Sequence, residues 1–168
     1  MAITAPPVPR AARDTPRDLA RFLAALHTHS LGDTGYVLLL GMRPPDSLRL
    51  LQIARTGLPF SALERFQVSL RFSPEQVARL LQVPPRTLAR RRQAGRLRPE
   101  DSDRLLRVAR VIARALELFN GKWSAARHWL ETPQPTLGGV APLELAETEL
   151  GTHQVESALG RIEHGVFA

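Results

Sequence analysis

The sequence predicts an all-α protein, with an N-terminal helical bundle that contains a helix-turn-helix and a small helical domain after it. Two observations support this prediction. Apolar residues recur at three- and four-residue spacing in most segments, as on one face of a helix. Capping residues precede these segments, and Pro or Gly follows them. One short apolar run, residues 36–40, leaves strand and helix equally open because periodicity cannot decide over so few residues.

The N-terminal residues divide into a leader and a first helix. Residues 1–14 are rich in Ala, Pro and Arg without periodicity, so we expect a disordered leader. Thr15 and Pro16 have the pattern of a helix start, and the helix is expected to reach His27. His27 and His29 are two residues apart, which places them on different sides of a helix and argues against a shared metal ion.

Two further helices are predicted before residue 73. Asp46 caps the first of them and Gly57 ends it. Ser61 and Glu64 form a capping-box pattern for the second. The side chains expected to turn inward are Leu48, Leu51, Ile53, Ala54, Leu63, Phe66, Val68 and Leu70. Because a helix-turn-helix cannot bury its inner face alone, these segments are expected to support it, which gives a domain over residues 15–98.

Residues 73–98 have the pattern of a helix-turn-helix. Ser73 with Gln76 forms a capping box that starts one helix. Two prolines then break that helix, a second begins at Pro85, and Gly95 ends it. The second helix of such a unit lies in the major groove of DNA, and its early residues reach base edges.

The second helix carries the candidate DNA contacts. They are Arg86, Thr87, Arg90, Arg91 and Arg92, whose guanidinium and hydroxyl groups suit guanine edges and phosphates. Two positions depart from the usual pattern: Gln82 stands where the turn most often has glycine, and Arg91 where an inward apolar residue is usual. The alternative is an ordinary helical hairpin with a solvated basic face.

Residues 99–168 are predicted as a second domain. Pro99 begins a long amphipathic helix, and Asn120 with Gly121 stops it. The side opposite its apolar face carries Arg104, Arg107, Arg110 and Arg114, either as a solvated face or as an extension of a DNA contact. A short helix then carries Trp123 and Trp129, which suit a core or a binding hot spot.

The C-terminal third consists of a loop and a last helix. Residues 132–142 are rich in Pro and Gly, and a short helix is expected to start at Pro142. Thr148 caps the last helix, whose apolar side is expected to include Leu150. The final residues, RIEHGVFA, form either a frayed end or a peptide inserted into a partner's cleft.

Charge is distributed unevenly along the chain. Residues 71–114 carry 12 basic and 4 acidic side chains, a net charge of +8, whereas residues 131–168 carry 1 basic and 6 acidic ones, a net charge of −5. The basic segment attracts a polyanion, and the acidic end suits a basic protein surface. Two different partners are therefore expected.

Composition excludes several function classes. The chain has no cysteine, which excludes disulfides and thiolate metal sites and favours a reducing, cytoplasmic setting. No run of about 18 apolar residues predicts a membrane span. Neither a metal-ligand spacing nor a cluster of nucleophile, base and orienting group occurs among its histidines and acids. We therefore expect a protein that is not an enzyme and uses no cofactor or metal.

Several motifs together resemble the Xre/MbcA/ParS family of bacterial type II antitoxins. They are SPEQVARLLQVPPRTLARRRQAGRL, PEDSDRLLRVARV, NGKWSAARHWLETPQPTLGGVAPLELAET and RIEHGVFA. The resemblance covers residues 40–168. It implies that the helix-turn-helix half binds operator DNA of the toxin–antitoxin operon. It also implies that the C-terminal half binds a RES-domain toxin, which consumes NAD or transfers ADP-ribose, and covers its active site with the tail.

The resemblance also directs the choice of toxin contacts. The candidates are Trp129, Leu137, Gly138, Arg161, Glu163, His164 and Phe167. A homodimer is expected, because operators are usually read by two copies of this motif one helical turn apart. Two other functions stay open: a stand-alone transcriptional regulator whose C-terminal half senses a small molecule or dimerises, and a toxin-binding protein that has lost DNA binding.

Overall fold

The computed structural model describes residues 16–28 and 31–165, and these residues form α-helices, 3₁₀ helices and no β-strand. The all-α prediction is confirmed. The α-helices are α1 Arg17–His27, α2 Ser47–Thr56, α3 Phe60–Leu70, α4 Pro74–Leu80, α5 Pro85–Ala94, α6 Pro99–Leu118, α7 Trp123–Glu131, α8 Pro142–Leu145 and α9 Glu149–Glu163. The 3₁₀ helices are Gly35–Leu40 and Pro135–Leu137. The predicted leader lies outside the described residues.

Local capping rules correctly located three helix starts. The Asp46 carboxylate accepts a hydrogen bond from the Arg49 amide at 2.8 Å, and α2 begins there. Ser73 and Gln76 form both bonds of the capping box at the start of α4. Thr148 accepts from the Gly151 amide at 3.0 Å at the start of α9.

The predicted capping box at Ser61 is wrong. The helix α3 begins one residue earlier, at Phe60, and no side chain caps it. Its start is set instead by bonds to distant residues: the Phe60 amide donates to the Gly95 carbonyl at 2.9 Å, and the Leu58 amide donates to the Ser102 hydroxyl at 2.8 Å. Long-range bonds therefore override the local signal.

The apolar run that the sequence left undecided is the 3₁₀ helix Gly35–Leu40. The side chains of Val37–Leu40 are all buried, because this segment packs against α1, α3 and α6. A segment enclosed on several sides needs no polar face, which explains why its sequence shows no periodicity.

The long helix α6 lies at the centre of the fold. It packs against α2, α4, α7, α9 and the first 3₁₀ helix, and its predicted apolar face, including Leu105, Ile112 and Leu116, is fully buried. One contiguous cluster of buried apolar side chains draws on residues from both sides of residue 98. The division of the chain at that residue stays a prediction.

Four leucines and valines expected to face inward are exposed. They are Leu48, Leu51, Val68 and Leu150, which are 48–73% exposed. In α2 the only buried side chain is that of Leu50, because this helix packs on one side against α6 and its other faces meet solvent. Among the described residues, no helix is both long and apolar enough to cross a bilayer.

Candidate functional site

The helices α4 and α5 form a tight two-helix unit. Gln82, between them, has φ 52°, the left-handed conformation that glycine usually supplies at this turn. Its side-chain amide donates to the Glu147 carboxylate at 2.7 Å, so the turn is tied to the C-terminal half. Val83 is buried, and Pro84 precedes the start of α5. The departure at Gln82 therefore leaves the turn geometry intact.

The outer face of α5 presents three of the predicted DNA contacts. No residue of α5 is buried, and Leu88 is the side chain that packs partly against the core. Arg86 and Arg90 are exposed and Thr87 is half-buried, with the Arg90 guanidinium 3.5 Å from the Thr87 hydroxyl. These three side chains, which we call the outer row, hold donors that suit phosphates and base edges.

The other two predicted contacts lie elsewhere on α5. Arg91 turns inward, and its side chain is 14% exposed, with Nε donating to the Asp101 carboxylate at 2.9 Å. Arg92 lies on the flank, 3.1 Å from the Glu64 carboxylate and with its guanidinium 5.4 Å from the centre of the Phe60 ring. The five candidates therefore do not share one surface.

One basic side chain beside the outer row was missed. Arg79 of α4 is exposed and lines an open groove of about 580 Å³ with Gln82 and Pro85. Its place in the same basic segment is the signal that could have found it.

At the start of α4, a hydrogen bond with the Ser73 hydroxyl and one with the backbone amide of Glu75 hold the pKa of the Glu75 carboxyl below its usual value.

Three of the four arginines in the row on α6 pair with carboxylates of α9, and the side chains of Arg110 and Arg114 remain 39% and 41% exposed. The pairs are Arg107 with Glu149 at 3.5 Å, Arg110 with Glu156 at 2.6 Å and Arg114 with Glu163 at 3.2 Å. Arg104 instead donates to the Leu81 carbonyl at 3.1 Å. The three carboxylates are spaced seven residues apart, which places them on one face of α9 and was a readable signal.

Burial and these pairs shift two pKa values. Burial lowers the pKa of Arg114, but hydrogen bonds and charge attraction from Glu117 and Glu163 outweigh that effect and raise it overall. Burial also raises the pKa of Tyr36, which lines two adjoining grooves of about 540 and 410 Å³ along α6. Asp33 and Arg110 line both grooves as well.

The first group of predicted toxin contacts lies on α7 and the loop after it. Trp129 is half-buried, with its ring 6.4 Å from that of Phe119. Leu137 is buried in the core at the end of the second 3₁₀ helix. Gly138 follows with φ 69° and is exposed, so it forms the tip of a tight turn as expected of this Gly-rich loop.

The second group lies at the end of α9. Arg161 and His164 are exposed, whereas Glu163 is half-exposed and pairs with Arg114. Phe167 lies outside the described residues. The helix α9 packs on the second 3₁₀ helix and on α8, so the two groups are carried by one helical unit. Within residues 16–28 and 31–165, no group of three or more His, Asp or Glu residues is arranged to hold a metal ion.

The fold and these surfaces define a helix-turn-helix protein with a second, acidic helical unit at its C-terminus. Two family models match the chain in that order. The Antitoxin Xre-like helix-turn-helix domain matches residues 49–110, and the Antitoxin Xre/MbcA/ParS C-terminal toxin-binding domain matches residues 114–165.

Several similar proteins are also antitoxins. Antitoxin Xre of Yersinia enterocolitica is 35% identical over 77% of this chain and 88% of its own length. Antitoxin Xre of Photorhabdus laumondii is 33% identical over the same shares. A protein of Sphingobium sp. named Prs ADP-ribosylating antitoxin is 28% identical over 69% of this chain and 79% of its own length.

The chain belongs to the Xre antitoxin family, as its motifs predicted. It is an antitoxin of a toxin–antitoxin system and carries a helix-turn-helix domain.

Proposed function

We propose that this antitoxin neutralises a RES-domain toxin that consumes NAD or transfers ADP-ribose, and that it represses its own operon by binding operator DNA. In this proposal it acts in the cytoplasm as a homodimer and catalyses no reaction itself. The observation that carries the proposal is the separation of charge along the chain. The outer row, with its two exposed arginines, lies on α5, and the exposed end of α9 lies in the acidic C-terminal half.

The DNA half of the proposal is supported by the geometry of α4 and α5. The left-handed turn at Gln82 and the partial burial of Leu88 leave the opposite side of α5 open. Arg86, Thr87 and Arg90 lie there with their donors in solvent or half-buried. Arg79 supplies a further cation on α4, where a phosphate contact would position the unit on the duplex. Arg92 is proposed as a contact at the edge of this surface.

A promoter-binding titration tests this half. The probe is the promoter fragment of the operon, and affinity is measured by gel shift over a series of salt concentrations. Arg86→Ala and Arg90→Ala are each expected to weaken binding and to reduce the salt slope by about one. Arg17→Ala is the matched control, because Arg17 is an exposed arginine on α1 outside the unit. Equal losses in all three variants would contradict the proposal.

The toxin half of the proposal is supported by the exposed end of α9. Arg161, Glu163 and His164 occupy its last turn, directly before the final residues. Gly138 follows the second 3₁₀ helix, which packs on α9, and Trp129 lies on α7, which packs on α8. The name of the Sphingobium relative refers to ADP-ribosylation, which supports a toxin that handles NAD. We propose that the tail enters the toxin's nucleotide cleft, with Arg161 paired to a toxin carboxylate.

Truncation of the tail tests this half in cells that express the neighbouring toxin gene. Deleting residues 160–168 removes the last turn of α9, so a stop after Glu163 is the sharper variant because it keeps the Arg114 pair. We expect that variant to fold and to lose neutralisation. His153→Ala, on an exposed position of the same helix, is the control and should rescue growth like the wild type. Full neutralisation by the truncated protein would contradict the proposal that the tail neutralises the toxin.

A second candidate function is a stand-alone regulator that senses a small molecule. It is favoured by the two adjoining grooves of about 540 and 410 Å³, a size that suits small ligands. Co-purification with the product of the adjacent gene discriminates between the two. The alternative of toxin binding without DNA binding rests on the departures of Gln82 and Arg91 from the usual helix-turn-helix pattern. Both residues are accommodated within the fold, so neither departure argues against DNA binding.

A further inference from the structure

The helix α5 is held in place by unusually little apolar burial. None of its residues is buried, and Leu88 alone of its large apolar side chains packs partly on the core. Its remaining anchors are polar. Arg92 pairs with Glu64 on α3, where both side chains are largely exposed, so this contact contributes little. The Arg92 guanidinium also lies 5.4 Å from the centre of the Phe60 ring, and the Gly95 carbonyl after α5 accepts from the Phe60 amide at 2.9 Å. Of the two ion pairs of α5, the one made by Arg91 is the enclosed one.

The pair between Arg91 and Asp101 joins α5 to the first turn of α6. The Asp101 side chain is 7% exposed and that of Arg91 is 14% exposed, at a distance of 2.9 Å. The same Asp101 oxygen accepts a hydrogen bond from the Arg98 amide at 3.3 Å, so the carboxylate is itself fixed at the start of α6. A guanidinium bound to an immobile carboxylate restrains the rotation of α5 about its axis.

That rotation decides which side chains of α5 face outward. Successive residues of a helix are about 100° apart. With Arg91 turned inward, Arg90 lies about 100° and Arg86 about 140° around the axis from it. Thr87 lies about 40° from Arg91 and is half-buried, so it forms the edge of the outer row nearest the core. The inward position of Arg91 therefore sets the outer row.

We propose that Arg91 and Asp101 are positioning residues for operator recognition, and that Arg91 does not itself contact DNA. The inference rests on the proposed operator binding. Burying an ion pair often stabilises a fold no more than apolar side chains of similar size would. A requirement for orientation therefore accounts better than stability for a charged residue at a position where an inward apolar one is usual.

Asp101→Asn tests the proposal, because it removes the charge and keeps the shape. We expect operator affinity to fall about tenfold or more, the equivalent of losing one good base contact. Capture of the companion toxin in a pull-down should stay unchanged. Asp103→Asn is the matched control: Asp103 lies in the same helix two residues on, is exposed and pairs only with Arg107 among the contacts described. It should bind the operator like the wild type.

A double-mutant cycle separates positioning from direct contact. If the pair acts as a unit, Arg91→Met alone and Arg91→Met with Asp101→Asn lose the same affinity. If Arg91 contacts phosphate, Arg91→Met reduces the salt slope by about one and Asp101→Asn binds as well as the wild type or better. That second result, or additive losses, overturns the proposal.

Three further outcomes bear on the proposal. If Asp101→Asn unfolds, Asp101→Glu replaces it; its charge is kept but displaced by one methylene, so intermediate affinity supports positioning and unchanged affinity contradicts it. If the wild type itself fails to bind the promoter, operator binding is wrong and the positioning role falls with it. If the wild type binds the promoter and Asp101→Asn binds it equally well, operator binding stands and only the positioning role of Arg91 and Asp101 is wrong.

Discussion

The helices α5 and α9 differ in how they are held against the rest of the fold. No residue of α5 is buried, whereas α9 buries Gly151, Thr152, Val155, Ala158 and Leu159. The charges of α5 mostly face solvent, while three carboxylates of α9 are engaged by arginines of α6. The lesson is that α9 is fixed by packing and α5 by a few polar contacts. Substitutions of buried residues in α9 should therefore affect stability, whereas substitutions of exposed residues in α5 should affect DNA binding.

The largest expected effect is the loss of a buried leucine from α9. Leu159 is 1% exposed, so Leu159→Ala should lower the free energy of unfolding by about 2–5 kcal/mol. Leu88 on α5 is only partly buried, and Leu88→Ala should cost about 1 kcal/mol, because it removes fewer contacts. Urea denaturation of both variants measures the difference. Equal losses would show that α5 is packed as firmly as α9.

A methyl group at Gly151 should have the next largest effect. A Cβ at this position would overlap the backbone carbonyl oxygen of Leu145, which cannot move without shifting α8. Gly151→Ala should therefore destabilise the protein by roughly 1–3 kcal/mol, the usual cost of overpacking. Thermal unfolding measures it. Promoter binding depends on α5 and should be unchanged at temperatures where the variant is folded. A loss of promoter binding at those temperatures would show that a change in α9 affects the conformation of α5.

Gly160 provides the opposite case in the same helix. Apart from its chain neighbours and the adjoining backbone of α9, no atom of the described residues lies within 4 Å of a methyl group built there, and the residue has an ordinary helical conformation. Gly160→Ala should raise the free energy of unfolding by roughly 0.5–1 kcal/mol, because glycine loses more conformational entropy in a helix than alanine does. A decrease in the midpoint of urea denaturation would contradict this account of α9.

The contrast between the two helices also explains which features could be predicted from sequence. The bounds of α4 and α5 follow from Ser73, Pro85 and Gly95, because capping and chain breaking act within a few residues. The pattern of α5 marks position 91 as one that usually faces inward, but the partner that Arg91 meets there could not be predicted, because Asp101 lies on the next helix. Contacts between helices decide such orientations, and local periodicity does not contain them.

The same limit applies to the arginine row of α6. The sequence correctly placed these side chains opposite the apolar face. It did not indicate that Glu149 and Glu156, some 40 residues further on, would cover them. The seven-residue spacing of the carboxylates was visible, but only the fold brings that face of α9 onto α6. Charge counts alone therefore overstated the basic surface available to DNA.

The smallest expected effect concerns the hydrogen bond that joins the two regions, from Gln82 to Glu147. The bond is exposed, so Gln82→Ala should lower the free energy of unfolding by about 0.5–1 kcal/mol. Gln82→Gly loses the same bond, but it relieves the left-handed backbone at φ 52°, which costs a non-glycine residue about 1 kcal/mol or more. The glycine variant should therefore be at least as stable as the alanine variant.

Glu147→Ala removes the same bond and leaves the turn untouched, so it separates the two contributions to the Gln82 variants. It should match Gln82→Ala in urea denaturation, because both keep the left-handed backbone and both lose the bond. If Glu147→Ala has no effect while Gln82→Ala destabilises, the bond contributes nothing, and the Gln82 side chain stabilises the turn by its own packing. In that case the connection between α5 and α9 runs through α6, which packs against α9 directly and is bound to α5 by the Asp101–Arg91 pair.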